Sequence, residues 1–326
     1  MKVLFIGGTG VISSSCSELC IEKGIDLYLL NRGISLRTPP EGSHIINCDI
    51  RNIQEAENEL ANYKFDVVVD WIAYNKLHVE TDYKLFQNKT SQYIFISSCA
   101  TYLKPPVNFP IDENTPLYNP RWNYANDKIT AEKFLMDIYN KYEFPVTIVR
   151  PSHTYDKTKT PLKGDYNLLY RLNHGKKIIL HGDGNSLWTL THAKDFAKGI
   201  IGLLGNSKAI GEAFNIVSDE TLTWNKIAQI IAEKAGCDLK IIYLSADFIS
   251  RYDSDWGSNL KWDKSFPGIF DNSKIKAFVP DFNPDIPFSK GVEEIIEWYS
   301  NIQYQIVNYN FDIMQDKMID DFDSGK

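Results

Sequence analysis

The sequence predicts an α/β fold: a doubly wound parallel sheet followed by a smaller carboxyl-terminal lobe. Three observations carry this. Short apolar runs alternate with amphipathic stretches through the first 150 or so residues. The runs are apolar on both faces, as strands covered on two sides by helices must be. A glycine-rich turn follows the first run directly and opens the first helix.

The elements follow in order. Lys2–Ile6 (KVLFI) is the first buried strand. Residues 11–23 place Ile12, Cys16, Leu19, Cys20 and Lys23 at helical spacing, and Gly24 ends that helix. Further strands are expected at Leu27–Leu30, His44–Ile46, Val67–Val69, Tyr93–Ser97 and Val146–Arg150. Beyond Arg150 aromatic and turn residues become frequent. Strands shorten there to 178–180, 214–217 and 240–244, with helices over 193–204, 223–235 and 288–300. The expected division is a main domain of residues 1–152 and 188–218, a substrate-capping lobe of 153–187 and 219–301, and an extension of 302–326. In the extension Ile302, Ile306, Tyr309 and Ile313 stand at helical spacing, which predicts a docked helix with a frayed acidic end.

Composition narrows the class. The chain is 43% hydrophobic, enough for a substantial core. Its net charge of −7, with Lys and Arg scattered, argues against a broad nucleic-acid footprint, although a local basic groove stays open. None of the five Cys pairs at zinc-ribbon spacing. Cys16 and Cys20 are expected in the core, and no metal site is expected. The amino terminus enters a strand at once, without a signal-like or membrane-spanning run. With reduced thiols this gives an expected cytoplasmic location.

Residues 7–13, GGTGVIS, join the first strand to the first helix. Gly7 and Gly10 match the first two positions of a G-x-x-G-x-x-G loop, and Thr9, Val11 and Ile12 are counted with them. Such a loop lets backbone approach a pyrophosphate at a helix amino terminus, so a dinucleotide is the expected ligand. Ser13 replaces the third glycine. The second strand ends at Asn31-Arg32, with no acidic residue to repel a 2′-phosphate. Asn31 can bind a ribose hydroxyl and Arg32 can pair with a phosphate, which inclines NAD(P) toward NADP. Asp49 and Ile50 lie where the adenine edge is expected.

Tyr124 and Lys128 stand one helical turn apart on one face. A tyrosine with a pKa of about 10 is a poor base at neutral pH, and a neighbouring ammonium lowers that value. Ser98, at the end of the fifth strand, supplies a hydroxyl donor. Y-x-x-x-K alone is weak, but three elements in this order at the carboxyl ends of strands make a specific pattern.

On these residues the sequence resembles the extended short-chain dehydrogenase/reductases, the NAD-dependent epimerase/dehydratase family with its Rossmann sheet, over residues 1 to about 300. DVVVDWIAYN resembles its strand-four segment, which puts Ala73 near the cofactor. VRPSHTYD resembles its Arg-Pro segment, which brings in Pro151. HGDGNSLWTLTHAKDFAKG resembles its Gly-Asp-Gly turn and following helix, with Asp195. The LNRG and DNSKIK segments are similar to the branch of chloroplast stem-loop RNA-binding proteins. The resemblance implies that Tyr124 exchanges a proton with a substrate hydroxyl, that Lys128 holds the nicotinamide ribose, and that Ser98 binds the substrate oxygen. It also implies a homodimer built on two helices of each subunit, one of them carrying Tyr124. The stretch Lys133–Tyr142, with Phe134, Leu135, Ile138 and Tyr139, has the apolar content for that interface or, equally, for the chain's own sheet.

Departures narrow the reading. Cys99 and Ala100 stand where dehydratases of this family carry carboxylates, so dehydration is disfavoured. Trp188 stands where a diphosphate-binding Arg is usual, and KSFPGIFDNSK lacks the second such Arg. Cys99 and Trp188 are then candidate pocket residues, with Trp122 and Tyr102 as walls. His153 and His192 receive no role. The expected function is an NAD(P)-dependent oxidoreductase or epimerase on a hydroxyl or carbonyl substrate, a sugar or sugar nucleotide among the candidates, by Tyr-Lys-Ser proton and hydride transfer. The alternative is a dinucleotide-fold RNA-binding or regulatory protein.

Overall fold

The structure is a computed structural model that describes residues 1–326. The first half runs β1 (Lys2–Ile6), α1 (Val11–Glu22), β2 (Asp26–Asn31), β3 (His44–Asn47), α2 (Ile53–Glu59), β4 (Phe65–Asp70), α3 (Lys76–Phe86), β5 (Thr90–Ile96), α4 (Asn123–Tyr142) and β6 (Val146–Pro151). The second half runs β7 (His153–Tyr155), α5 (Tyr166–Asn173), β8 (Ile178–His181), β9 (Leu187–His192), α6 (Ala193–Leu203), β10 (Ala213–Ile216), β11 (Thr221–Thr223), α7 (Trp224–Ala235) and β12 (Ile241–Leu244). It closes with α8 (Ala246–Ser250), α9 (Ser254–Asn259), α10 (Ser273–Phe278), α11 (Phe288–Ser300) and α12 (Tyr309–Asp323).

Seven strands form the main sheet in the order β3-β2-β1-β4-β5-β6-β10, all parallel. The doubly wound expectation holds. The β1 run alternates between two cores, as a strand's period of two requires. Val3 and Phe5 face Cys16, Cys20, Phe196 and Ile200. Leu4 and Ile6 face Val79, Leu135 and Ile138 on the other side. The chain leaves β1 toward β2 and β3, then returns to β4 on β1's other flank. That reversal opens a crevice at the carboxyl ends of β1 and β4, where open α/β sheets bind ligands.

The lobe is less simply divided than the sequence suggested. β9 pairs with β7 and β11 in a small separate sheet, although residues 188–192 were expected in the main domain. Ile275, Val279 and Phe282, expected in the lobe, pack in the main core beside α6. The lobe's own core joins α5, α7, α11 and the β8–β12 pair.

The extension docks, but by a different face. Ile302, Ile306, Tyr309 and Ile313 are exposed, while Asp312, Gln315, Met318 and Ile319 are buried. Asp312 and Asp316 on α12 hold the buried Arg171 at 2.6 and 2.8 Å, while Met318 and Ile319 pack in an apolar cluster, so the docked face joins charge pairing with apolar burial. Leu135 and Ile138 on α4 pack into their own sheet, which removes the apolar content of that stretch as an argument for a dimer. No helix is long and apolar enough to cross a membrane.

Candidate active site

At the amino-terminal crevice, the Gly7 N–H donates to the Leu30 carbonyl at 2.8 Å, which closes the turn after β1. Gly8 has φ +104°, and a Cβ there would come within 2.6 Å of Leu29 Cδ2. Only glycine fits that backbone, and the two-glycine reading had passed over it. Gly10 caps α1, and its N–H donates to Ser13 Oγ at 2.8 Å, so the serine at the third glycine's place secures the loop.

Gly7, Thr9, Asn31, Arg32, Asp49 and Ile50 line one cavity of about 270 Å³. Six residues from three strand ends, chosen from sequence, thus meet at one place. Asn31 Nδ2 is buried there without a hydrogen-bond partner, a donor that a ribose hydroxyl would satisfy. Arg32 is largely exposed at the mouth of this cavity. It lies 3.9 Å from Asp49, a carboxylate that would repel a 2′-phosphate. Val11 and Ile12 form the first turn of α1, whose amino terminus faces the same crevice.

The second centre lies at the carboxyl ends of β5 and β6. Ser98, Cys99, Ala100, Trp122, Tyr124, Pro151 and Trp188 line a cavity of about 310 Å³, with Asn259, Asp263 and Lys264 from the lobe opposite. Ser98 lies close enough to the Tyr124 phenol to favour its ionised form. Ser98 Oγ also accepts the Ala100 N–H at 3.1 Å, which fixes the serine's rotamer. Lys128 Nζ donates to the carbonyls of Ala73 and Ile96 at 2.6 and 2.7 Å, so Ala73 acts through its carbonyl. One turn further along α4, Glu132 pairs with the buried Arg150 at 2.6 Å. Arg150 also donates to the Tyr102 hydroxyl, which makes Tyr102 a brace under the site rather than its wall.

The electrostatics depart from expectation. Burial pushes the Tyr124 phenol up to about 12, outweighing the effect of Ser98. Lys128 was expected to lower that value. Its ammonium is instead committed to two carbonyls, and burial brings its own pKa down to about 8. Cys99 is a buried thiol, raised by burial, whose Sγ donates to the Arg150 carbonyl at 3.3 Å. Trp188 packs on Trp224 with ring centres 5.6 Å apart, and its indole N–H is buried without a partner. His192 caps α6, and His153 lines the cavity.

Sequence reasoning missed Lys264. Its ammonium makes no ion pair, lies 5.5 Å from the Trp224 ring centre, and is brought down to about 8 by burial. It ends a short π-helical turn, Leu260–Lys264, with no motif, so only the fold reveals it.

A family model, the NAD dependent epimerase/dehydratase family, matches residues 84–217, the span that holds Ser98, Tyr124 and Lys128. Over this span the chain is similar to that family. The chloroplast stem-loop binding protein of 41 kDa b of Arabidopsis thaliana is 28% identical over 253 residues, 72% of this chain and 63% of that protein. The chain therefore spans less than two thirds of that relative's length. The dTDP-D-glucose 4,6-dehydratase of Homo sapiens is 25% identical, over 91% of this chain and 89% of the relative. Among solved structures, Pal from Bacillus thuringiensis has a TM-score of 0.77 at 20% identity, covering 93% of this chain and 100% of Pal. A UDP-glucuronic acid 4-epimerase from Bacillus cereus, in complex with UDP-glucuronic acid and NAD, has a TM-score of 0.75 at 18% identity over 93% and 100%. The likenesses to solved structures show the fold, a parallel α/β sheet with a carboxyl-terminal lobe.

Proposed function

We propose that this chain is an NAD(P)-dependent oxidoreductase or epimerase that acts on a hydroxyl or carbonyl of a small polar substrate, a sugar or sugar nucleotide. One observation carries the reading. The Ser98–Tyr124 hydroxyl pair lines a cavity beside the crevice that holds the glycine loop, and Lys128 lies one turn from Tyr124 on α4. The crevice fits a dinucleotide, since the orphaned Asn31 amide and the backbone at Gly8 both suit it. Bound there, the dinucleotide supplies the hydride donor or acceptor.

The chain's residues do the rest. Ser98 orients the substrate oxygen. Tyr124, protonated at neutral pH, donates its proton to that oxygen in the reductive direction. In the oxidative direction the phenol must ionise, and its place in the first turn of α4 helps, because a helix amino terminus favours an anion. Lys128 anchors the ribose side through its ammonium. Lys264, Trp188 and Asn259 offer donors to the rest of the substrate. The pairing of Arg32 with Asp49 supports NAD over NADP.

Dehydratases are among the relatives, so family likeness gives no support to setting dehydration aside. Cys99 and Ala100 bear no acid, but Asp263 lines the same cavity, paired to Lys104 at 3.0 Å. The RNA-binding alternative has only the name of the plant relative behind it. The test is to release and identify the dinucleotide retained on purification, then assay hydride exchange with nucleotide sugars. Absence of NAD(P)(H) binding in titration would sink the reading.

A further inference from the structure

Beneath the Ala73 carbonyl that receives Lys128 lies a cluster that the chemistry above does not use. Asp70 ends β4 and Asp82 sits on α3, both fully buried. Asp70 Oδ1 accepts the backbone N–H groups of Ile72 and Ala73 at 2.6 and 2.7 Å. Asp82 Oδ2 accepts the Tyr93 hydroxyl at 2.7 Å. The other two oxygens, Asp70 Oδ2 and Asp82 Oδ1, have no donor. Arg51 lies 3.8 Å from the first and 3.7 Å from the second, near enough for charge but beyond a hydrogen bond. Its Nη2 instead donates to the Ile72 carbonyl at 3.0 Å.

Each carboxylate is therefore satisfied on one oxygen and bare on the other. Two buried acceptors without a donor are costly, and two neighbouring buried negative charges beside one guanidinium more so. One proton removes both costs. It supplies the missing donor and leaves one negative charge against the guanidinium of Arg51.

We propose that Asp70 and Asp82 share a single proton, and that this acid pair is a positioning element for Lys128, acting through the backbone of Ala73. The inference rests, for its Lys128 half, on the reading of Lys128 as a cofactor-side residue. Asp70 holds the Ala73 N–H, and the carbonyl of the same residue takes the Lys128 ammonium. Asp70 also contributes the largest charge effect keeping Lys128 protonated against burial, followed by Glu132, with Arg51 opposing. The remaining charged or titratable groups around the cluster are Tyr93 on β5, His78 on α3 and Asp127 on α4. Burial and the neighbouring Asp70 carboxylate hold the Asp82 carboxyl well above the usual range, which assigns the proton chiefly to Asp82.

That assignment predicts an asymmetry. In Asp82→Asn the amide N–H replaces the shared proton, whereas Asp70→Asn removes the charge that supports Lys128. Infrared difference spectra of wild type against Asp82→Asn at pH 7 should show a neutral buried carboxylic acid that the variant lacks. Its absence would overturn the shared proton without touching the functional reading. NADH titration from pH 6 to 10 reads the second half. Asp82→Asn should bind within about twofold of wild type, while Asp70→Asn should move the basic limb of binding down by about one pH unit, roughly a fivefold loss at pH 8 that approaches tenfold above pH 9. An unshifted limb in Asp70→Asn overturns the link to Lys128. Should Asp70→Asn fail to fold, a tenfold loss in Asp82→Asn overturns the pair, because the amide is the mimic of the protonated acid. A wild type that binds no NADH at any pH overturns the functional reading and the Lys128 half together, while the infrared result stands separately.

Discussion

Arg37 Nη1 lies 2.6 Å from Asp156 Oδ2 and 3.0 Å from the Gly10 carbonyl oxygen, so one side chain ties the glycine loop to the segment that enters the lobe. It also reaches Thr158 on the lobe side. Arg37→Ala leaves a mostly buried Asp156 without its cation, at a cost of about 1.5–3 kcal/mol for a lost charged hydrogen bond. The variant should melt several degrees lower and bind NADH more weakly, since the loop loses a brace. An unchanged melting temperature would show that the clamp is incidental.

The two inner glycines of the loop should respond differently. Gly8 requires its positive φ and has no room for a Cβ, so Gly8→Ala should destabilise the protein by about 1–3 kcal/mol. Gly10 has ordinary φ, and a Cβ there meets only Ser13 Oγ at 3.2 Å. Gly10→Val should keep the fold and block the dinucleotide. Denaturant titration and NADH fluorescence on both variants separate these effects. Equal destabilisation by the two would contradict the assignment.

These contrasts bear on how far the sequence alone could reach. The strands, the glycine loop and the Ser98, Tyr124 and Lys128 set were legible because each has a local signature: two-sided apolar runs, a turn chemistry, an i,i+4 spacing. Arg37 and Asp156 are 119 positions apart, and no local rule joins them. Lys264 comes from a short π-helical turn that no sequence motif marks. The docked face of α12 was misread because hydropathy sees Ile302 and Ile313, while the fold buries Asp312 against Arg171. The Tyr124 shift was misread for a related reason: spacing puts Lys128 near it, but the carbonyls of Ala73 and Ile96 decide where the ammonium points.

Cofactor choice turns on Arg32 and Asp49. With these 3.9 Å apart, NAD should bind more tightly than NADP. Asp49→Asn should narrow the difference, by freeing Arg32 and removing the opposing charge. Equilibrium titration of both dinucleotides decides it, and tighter NADP binding by wild type would reverse the reading.

Tyr124→Phe removes only the phenol hydroxyl beside Ser98. It should leave melting temperature and NADH affinity near wild type and lower turnover by a factor of about 10² or more, the usual contribution of a positioned acid or base. Full turnover in this variant, on a substrate identified by hydride exchange, would remove Tyr124 from the chemistry.

Lys264 offers a test in which stability and function move in opposite directions. Burial brings its ammonium down to about 8, below its ordinary value, so the unfolded chain binds more protons than the folded one between pH 8 and the ordinary lysine range. Stability from this group therefore rises with pH across that window, and it is least below pH 8, where the ammonium stays charged in the fold. Lys264→Met should raise the melting temperature at pH 7 and flatten its rise toward pH 10. Lys128, also held near 8, contributes a similar slope, so the flattening will be partial. The same substitution should weaken binding of an acidic substrate about tenfold in KM, with a smaller effect on kcat, because the cation meets the substrate away from Ser98 and Tyr124. A variant that is less stable at pH 7, or one with unchanged KM for every acidic substrate turned over, would show that Lys264 supports the lobe rather than the ligand.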